Sequence, residues 1–229
     1  MLEIFQYDYS YFDSIYQKIS QLQNKSEQDK IKSLIDLLKT HDKVTFNHSF
    51  QVAHFAYNLA IESGLSTEES RKIFMAGLLH DIGKLFVPSA IINRVKEKDL
   101  TEQQHRLLIS HGKMGAELIR ELGMNESYAL AADQHWIGEL DERQPTKQEL
   151  EERHRFVPYV TIADLVASAF DRHRKYQQNY DPKKVICYIN KRFEQDIFPN
   201  NLKAPFNRLM SLGKNTYWYT KENNQRYPK

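Results

Sequence analysis

Several histidines and aspartates sit where an ionisable side chain is least expected, against apolar runs. His80 and Asp81 directly follow Ile73-Phe74-Met75-Ala76-Gly77-Leu78-Leu79, the most hydrophobic helical stretch of the chain. His111 falls on the apolar face of a helical pattern, with Leu107, Gly115, Leu118 and Leu122. His135 ends an alanine-rich stretch, and Asp164 lies inside Thr161-Ile162-Ala163-Asp164-Leu165-Val166. Burying such groups is costly unless they are paired or bind a metal. Taken singly, a buried histidine is most often a hydrogen-bonded core residue, and an aspartate near a helix end is usually a cap. Taken together, one cation held by imidazole and carboxylate inside a helix bundle accounts for all of them.

The elements that would carry these groups read as helices. Ile15, Ile19 and Leu22, then Ile31, Leu34, Leu37 and Leu38, recur at three- and four-residue steps, with the polar Gln23–Lys30 stretch between them as a break. Val52, Phe55, Ala56, Leu59 and Ala60 form the core-facing stripe of a helix from about His48 to Ser63, with Gly64 as its stop. Ser66 with Glu69, and Thr101 with Gln104, have capping-box spacing. The first opens the helix that leads to His80. The second opens one expected to run through to Leu122 with a bend near Gly112. Further helices are expected over Asn125–His135, after Pro158, after Asp181-Pro182 and after Pro199, with Gly138–Lys147 as a loop. The expected fold class is all-α, a single multi-helix bundle with an N-terminal helical extension over residues 1–40. The main domain then covers 41–220, and 221–229 form a flexible tail.

Composition narrows the classes. The chain has 229 residues, of which 41% are hydrophobic and 27% charged, so it can build a core and is too apolar for disorder. Only 8 Gly and 7 Pro disfavour a turn-rich β-sandwich. A net charge of +2 gives no field for a nucleic acid polymer or an anionic membrane. The single Cys187 excludes an internal disulfide and zinc sites built on several thiolates. No signal peptide and no membrane-spanning run is visible, so a cytoplasmic setting is expected.

Leu79-His80-Asp81-Ile82-Gly83-Lys84 resembles the signature of the HD superfamily of metal-dependent phosphohydrolases. The order of the remaining elements is similar to the HD-GYP branch, whose members hydrolyse cyclic dinucleotides, chiefly cyclic di-GMP. The likeness runs from about Thr45 to Tyr176. Asn47-His48-Ser49-Phe50-Gln51-Val52 matches the opening element and makes His48 the first ligand. His111-Gly112-Lys113-Met114-Gly115-Ala116 and Ile162-Ala163-Asp164 match later ones. The resemblance implies one or two divalent ions. His48, His80, Asp81 and Asp164 would hold the first. Asp81, as the bridge, with His111 and His135 would hold the second. Imidazole and carboxylate ligands favour Fe, Mn, Zn, Co or Ni over Mg or Ca. Lys84, one turn beyond Asp81, is implied as a catalytic group that contacts phosphate or the attacking water.

The departures are specific. The family's eponymous stretch has two consecutive histidines and ends in Gly-Tyr-Pro. Here Trp136 replaces the second histidine, and Arg143-Gln144 precede Pro145. The second metal would therefore lose one ligand, and Trp136 becomes either a core aromatic or a surface for stacking on a nucleobase. Val44 stands where some members carry a third-metal glutamate, so no third metal is expected. Asp171-Arg172-His173-Arg174-Lys175-Tyr176 lies near the family's basic tail element, and Arg172 and Arg174 are expected to present cations to a phosphate. His41, His54, His105, His154 and His173 match no ligand element.

The function so implied is hydrolysis of a phosphodiester, such as a cyclic dinucleotide, by water activated between metal ions. Two alternatives stay open: a nucleotide phosphohydrolase acting on a mono- or triphosphate, and a non-catalytic nucleotide-binding signalling module. Members of the branch usually carry a sensor domain. About 44 residues precede the His48 element, short for such a domain. Regulation is therefore expected from a partner chain or from expression, and the amphipathic N-terminal extension is expected to mediate a homodimer.

Overall fold

The computed structural model describes residues 9–93, 100–135, 146–151, 154–170 and 182–211. Among the described residues every regular element is helical. In chain order these are α1 (Tyr9–Ser20), α2 (Glu27–His41), α3 (Lys43–Glu62), α4 (Thr67–Leu79), a 3₁₀ turn (Ile82–Phe86), α5 (Ser89–Ile92), α6 (Glu102–Ile109), α7 (His111–Glu121), α8 (Glu126–Gln134), α9 (Lys147–Glu151), α10 (Val157–Phe170), α11 (Pro182–Glu194), a second 3₁₀ turn (Asn200–Leu202) and α12 (Lys203–Ser211). The all-α class expected from the sequence holds.

The bundle is organised around α3 and α4, which lie against each other, with α10 covering α3 and the α7–α8 pair covering α4 and the 3₁₀ turn. The expected stripe of α3 is buried in full: Val52, Phe55, Ala56, Leu59 and Ala60 all form core. Each such side chain is worth about 1.5–3 kcal/mol when removed from water, alanine less. Ile15, Ile19 and Leu22, with Ile31, Leu34, Ile35 and Leu38, join the same core. The N-terminal helices are thus packed into the bundle rather than lying apart from it. Gln23 Nε2 and Lys30 Nζ donate to the carbonyls of Glu121 and Leu122. Glu27 accepts the backbone N–H of Asn125, so three side chains hold the turn between α7 and α8.

Two boundaries differ from the sequence expectation. Helix α3 starts at Lys43, not near His48, because Asp42 is its cap and accepts the N–H of Thr45. His48 therefore lies in the second turn, inside the bundle. The helix expected from Glu102 to Leu122 is two helices that break at Ser110. There Ser110 Oγ bonds the carbonyl of Leu107, and His111 Nδ1 bonds that of Leu108. The break re-aims the apolar faces. Leu118 and Leu122 join the main core, whereas Leu107 packs into a small separate cluster with Val87, Ile91 and Ile92. Thr101 and Gln104 make both hydrogen bonds of a capping box. At α4, Ser66 caps the Glu69 N–H, and the Glu69 carboxylate receives the Ser66 hydroxyl.

Candidate metal centre

Five elements deliver one group or two each to a common point. His48 comes from the second turn of α3, and His80 caps the end of α4 with Asp81 directly after it. His111 is the first residue of α7, His135 caps the end of α8, and Asp164 lies midway along α10. The four imidazoles are completely buried, Asp81 is 2% exposed and Asp164 9%.

Two glycines allow this convergence. A Cβ on Gly77 would lie 2.8 Å from the Cα of Ala53, so α3 and α4 touch backbone to backbone, which draws His48 and His80 together. A Cβ on Gly83 would lie 1.9 Å from the carbonyl oxygen of His111 and 2.5 Å from the Gly115 nitrogen. The start of α7 thus rests directly on the 3₁₀ turn, beside Asp81.

The resulting geometry splits the Asp81 carboxylate between two sets of partners. Oδ1 is 3.1 Å from His111 Nε2. Oδ2 is 3.4 Å from His80 Nε2, 4.0 Å from His48 Nε2 and 2.7 Å from Lys84 Nζ. His48 Nε2 meets Asp164 Oδ1 at 2.6 Å, and His111 and His135 approach Nε2 to Nε2 at 3.4 Å. His48, His80 and Asp81 offer ligand atoms within 4.8 Å of one another. So do Asp81, His111 and His135, and so do His80, His135 and Asp164. The two groups containing Asp81 fall within the ligand sets expected from the sequence. The third, which joins His80 to His135 and Asp164, links the two sets.

Three of the histidines are held the same way. Nδ1 of His80 bonds the carbonyl of Gly77, that of His111 bonds Leu108, and that of His135 bonds Ala132, at 2.6–2.7 Å. A carbonyl only accepts, so Nδ1 donates in each bond and Nε2 is the nitrogen that faces the centre. That is the ring orientation a metal ligand needs. His80 Nε2 is buried and makes no hydrogen bond. Burial, reinforced by the neighbouring His80 and His111, holds the His135 imidazole well below the usual histidine range, so it is neutral. Burial raises the Asp81 carboxyl, but Lys84, His80 and His111 together outweigh it and hold the group well below the usual carboxylate range. An ionised carboxylate beside the neutral imidazole of His135, with the rings of His48, His80 and His111 around it, is a donor set that fits a divalent ion.

Lys84 is buried against Asp81 rather than lying on the surface. Trp136, Arg172 and Arg174 lie outside the described residues. His41 bonds the carbonyl of Val87, and His154 accepts the backbone N–H of Phe156, so both brace the backbone. Sequence reasoning missed Thr161, whose buried hydroxyl donates to the His135 carbonyl, and Ser168, which donates to Asp164. A threonine in the apolar run of α10, one turn before Asp164, was the available signal.

The chain is similar to several known proteins. A cyclic di-GMP phosphodiesterase of Pseudomonas aeruginosa is 38% identical over 96 residues, 42% of this chain and 22% of that protein. A 3'3'-cGAMP-specific phosphodiesterase of Vibrio cholerae is 33% identical over 78 residues, 34% of this chain and 18% of that protein. The chain thus spans about a fifth of the length of each of these relatives. Among solved structures, the HD domain of the Listeria monocytogenes phosphodiesterase PgpH, in complex with cyclic-di-AMP, superposes with a TM-score of 0.57 at 23% identity. That match covers 78% of this chain and 94% of the other, and it bears on the fold alone. The family model for the HD domain matches residues 45–189, more than half of the sequence and all six residues of the His/Asp cluster, so the chain belongs to the HD-domain family.

Proposed function

We propose that the chain is a metal-dependent phosphohydrolase that cleaves a phosphodiester, with a cyclic dinucleotide as substrate. The observation that carries this reading is the divided carboxylate of Asp81, with Oδ1 on His111 and Oδ2 toward His80 and His48. One side chain thereby joins two imidazole-rich halves, each able to hold a divalent ion of the Fe, Mn, Zn, Co or Ni type. Bound there, a pair of such ions would lower the pKa of a water molecule, align it with the phosphorus and neutralise developing charge. The protein's own groups do the rest. His48, His80 and Asp164 serve one half, and His111 and His135 the other, with Nδ1–H bonds fixing three of the rings. Lys84 stands beside Asp81, where its ammonium can meet a phosphate oxygen. Trp136, Arg172 and Arg174 are proposed to contact base and phosphate. The substrates named for the two bacterial relatives support the choice of a cyclic dinucleotide.

A second reading, a nucleotide mono- or triphosphate as substrate, is favoured by Arg143-Gln144-Pro145 standing where the resembled branch has Gly-Tyr-Pro. The test is metal analysis of the purified protein, with turnover of cyclic di-GMP, cyclic di-AMP, 3'3'-cGAMP and a panel of nucleotides. Two ions per chain with linear dinucleotide as product supports the first reading, and release of inorganic phosphate from mononucleotides supports the second. Protein that stays inert after loading with Mn or Fe overturns both. A cytoplasmic setting and a homodimer or regulatory partner belong to the same proposal; among the described residues no helix is long and apolar enough to cross a membrane.

A further inference from the structure

His135 caps the end of α8, where helix carbonyls turn to donors outside the helix. Its carbonyl accepts from Thr161 Oγ1, at 2.9 Å, with both residues completely buried. Thr161 lies one turn before Asp164 on α10, and Asp164 meets His48 at 2.6 Å. His135 is therefore fixed twice. The carbonyl of Ala132 sets its ring, and Thr161 ties its main chain to the helix of Asp164. His80, His135 and Asp164 are also the group that joins the two halves of the centre.

We infer that Thr161 is a positioning residue that sets where His135 stands relative to Asp164, and so tunes ion binding in the His111–His135 half. The inference rests on the metal-centre reading above. Partners that orient a metal ligand typically change affinity about 10–100-fold when removed. The hydroxyl acts on the main chain, so its loss shifts the whole His135 residue rather than only rotating the ring.

The test compares Thr161→Val, which keeps the branched shape and deletes the donor, with Thr161→Ser, which keeps the donor. Mn²⁺ titration followed by paramagnetic resonance reads both affinities. Histidine-ring NMR of the metal-free protein reads His135 without any ion. Expected for valine is a roughly 10–100-fold loss at one site, the other site changed by less than about twofold, and a shifted His135 ring signal. Serine restores both. Equal weakening of both sites in step with a lower melting temperature would mean a purely structural role and overturn the inference, as would an unchanged valine variant or a serine variant as weak as valine. If the wild type takes up no ion while the His135 signal still moves, the metal-centre reading fails and the positioning stands. If neither is seen, both fall.

Discussion

Replacing Gly83 with alanine puts the convergence of the centre to a direct test. The new Cβ would lie 1.9 Å from the His111 oxygen, and real Cβ contacts do not fall below 3.0 Å, so the two backbones must separate by at least 1.1 Å. The nearest obstacles at that position are all main-chain atoms, so no side-chain rotation relieves the clash. His111 Nε2 stands 3.1 Å from Asp81 Oδ1, so the displacement is a third of their separation and pulls a ligand from its bridge. Overpacking of this kind costs about 1–3 kcal/mol. Over a domain of this size that is a fall of several degrees in melting temperature, at roughly 2–4 °C per kcal/mol. Ion affinity in the His111–His135 half should drop by about 10–100-fold, the usual loss when the support that orients a metal ligand is disturbed. Thermal unfolding of the metal-free protein and competition titration with a chromophoric chelator read the two effects separately. Gly115→Ala is the graded control, since its Cβ meets its nearest atoms at 3.0 and 3.3 Å and should cost less. A Gly83→Ala protein that keeps its melting temperature and both affinities would refute the close approach as the device that brings Asp81 to His111.

Asp81→Ala should abolish ion binding in both halves and leave Lys84 buried beside no carboxylate, a loss of about 3–5 kcal/mol; elemental analysis that finds an ion retained, or activity that survives, contradicts the bridge. Lys30→Met should cost about 1–3 kcal/mol, because the Leu122 carbonyl loses its donor at 2.6 Å; a change within about 0.5 kcal/mol in denaturant unfolding would instead mark an ordinary surface lysine. Metal-free protein should lose stability on going from about pH 7.5 to about pH 5.5. Burial lowers the pKa of His135 and of His54, so in this window the unfolded chain binds protons that the folded chain refuses. Their contribution is complete above the ordinary histidine value of 6.5 and is lost below it. Asp81, whose pKa is lowered, gives its contribution up only below the ordinary value of 3.8, outside the window. His54→Gln should flatten the slope in melts at the two pH values, and identical melting temperatures in the wild type would contradict the assignment.

The helices around the centre were legible because apolar periodicity is a strong signal over α3, α4 and α10, each with a stripe of Val, Leu, Ile, Phe or Ala facing the core. The His/Asp cluster was legible in part because His80 and Asp81 interrupt that apolarity, and its other members were assigned as ligands from the resemblance to the HD superfamily rather than from patterning. Local competition between side chain and backbone was harder to read. Asp42 outbid the expected start of α3 by capping five residues earlier, and Ser110 with His111 took the carbonyls that would have carried one helix through to Leu122. Gly77 read as one more apolar residue of a buried helix, since nothing in its neighbours announces that another backbone will lie against it. Thr161 showed only as a hydroxyl in an apolar run, and nothing near it named its partner, which is 26 residues away.

Tethering an imidazole to the carbonyl three residues before it at the end or start of a helix has a thermodynamic consequence. A ring hooked in this way has already surrendered its rotamer freedom during folding, so an arriving ion need not bear that ordering cost, which for a rotamer-rich side chain is about 0.5–1.5 kcal/mol. The spacing among His80, His111 and His135 is then dictated by where α4, α7 and α8 sit. Accommodating an ion of different radius requires sliding whole helices past one another, which a close-packed interior resists.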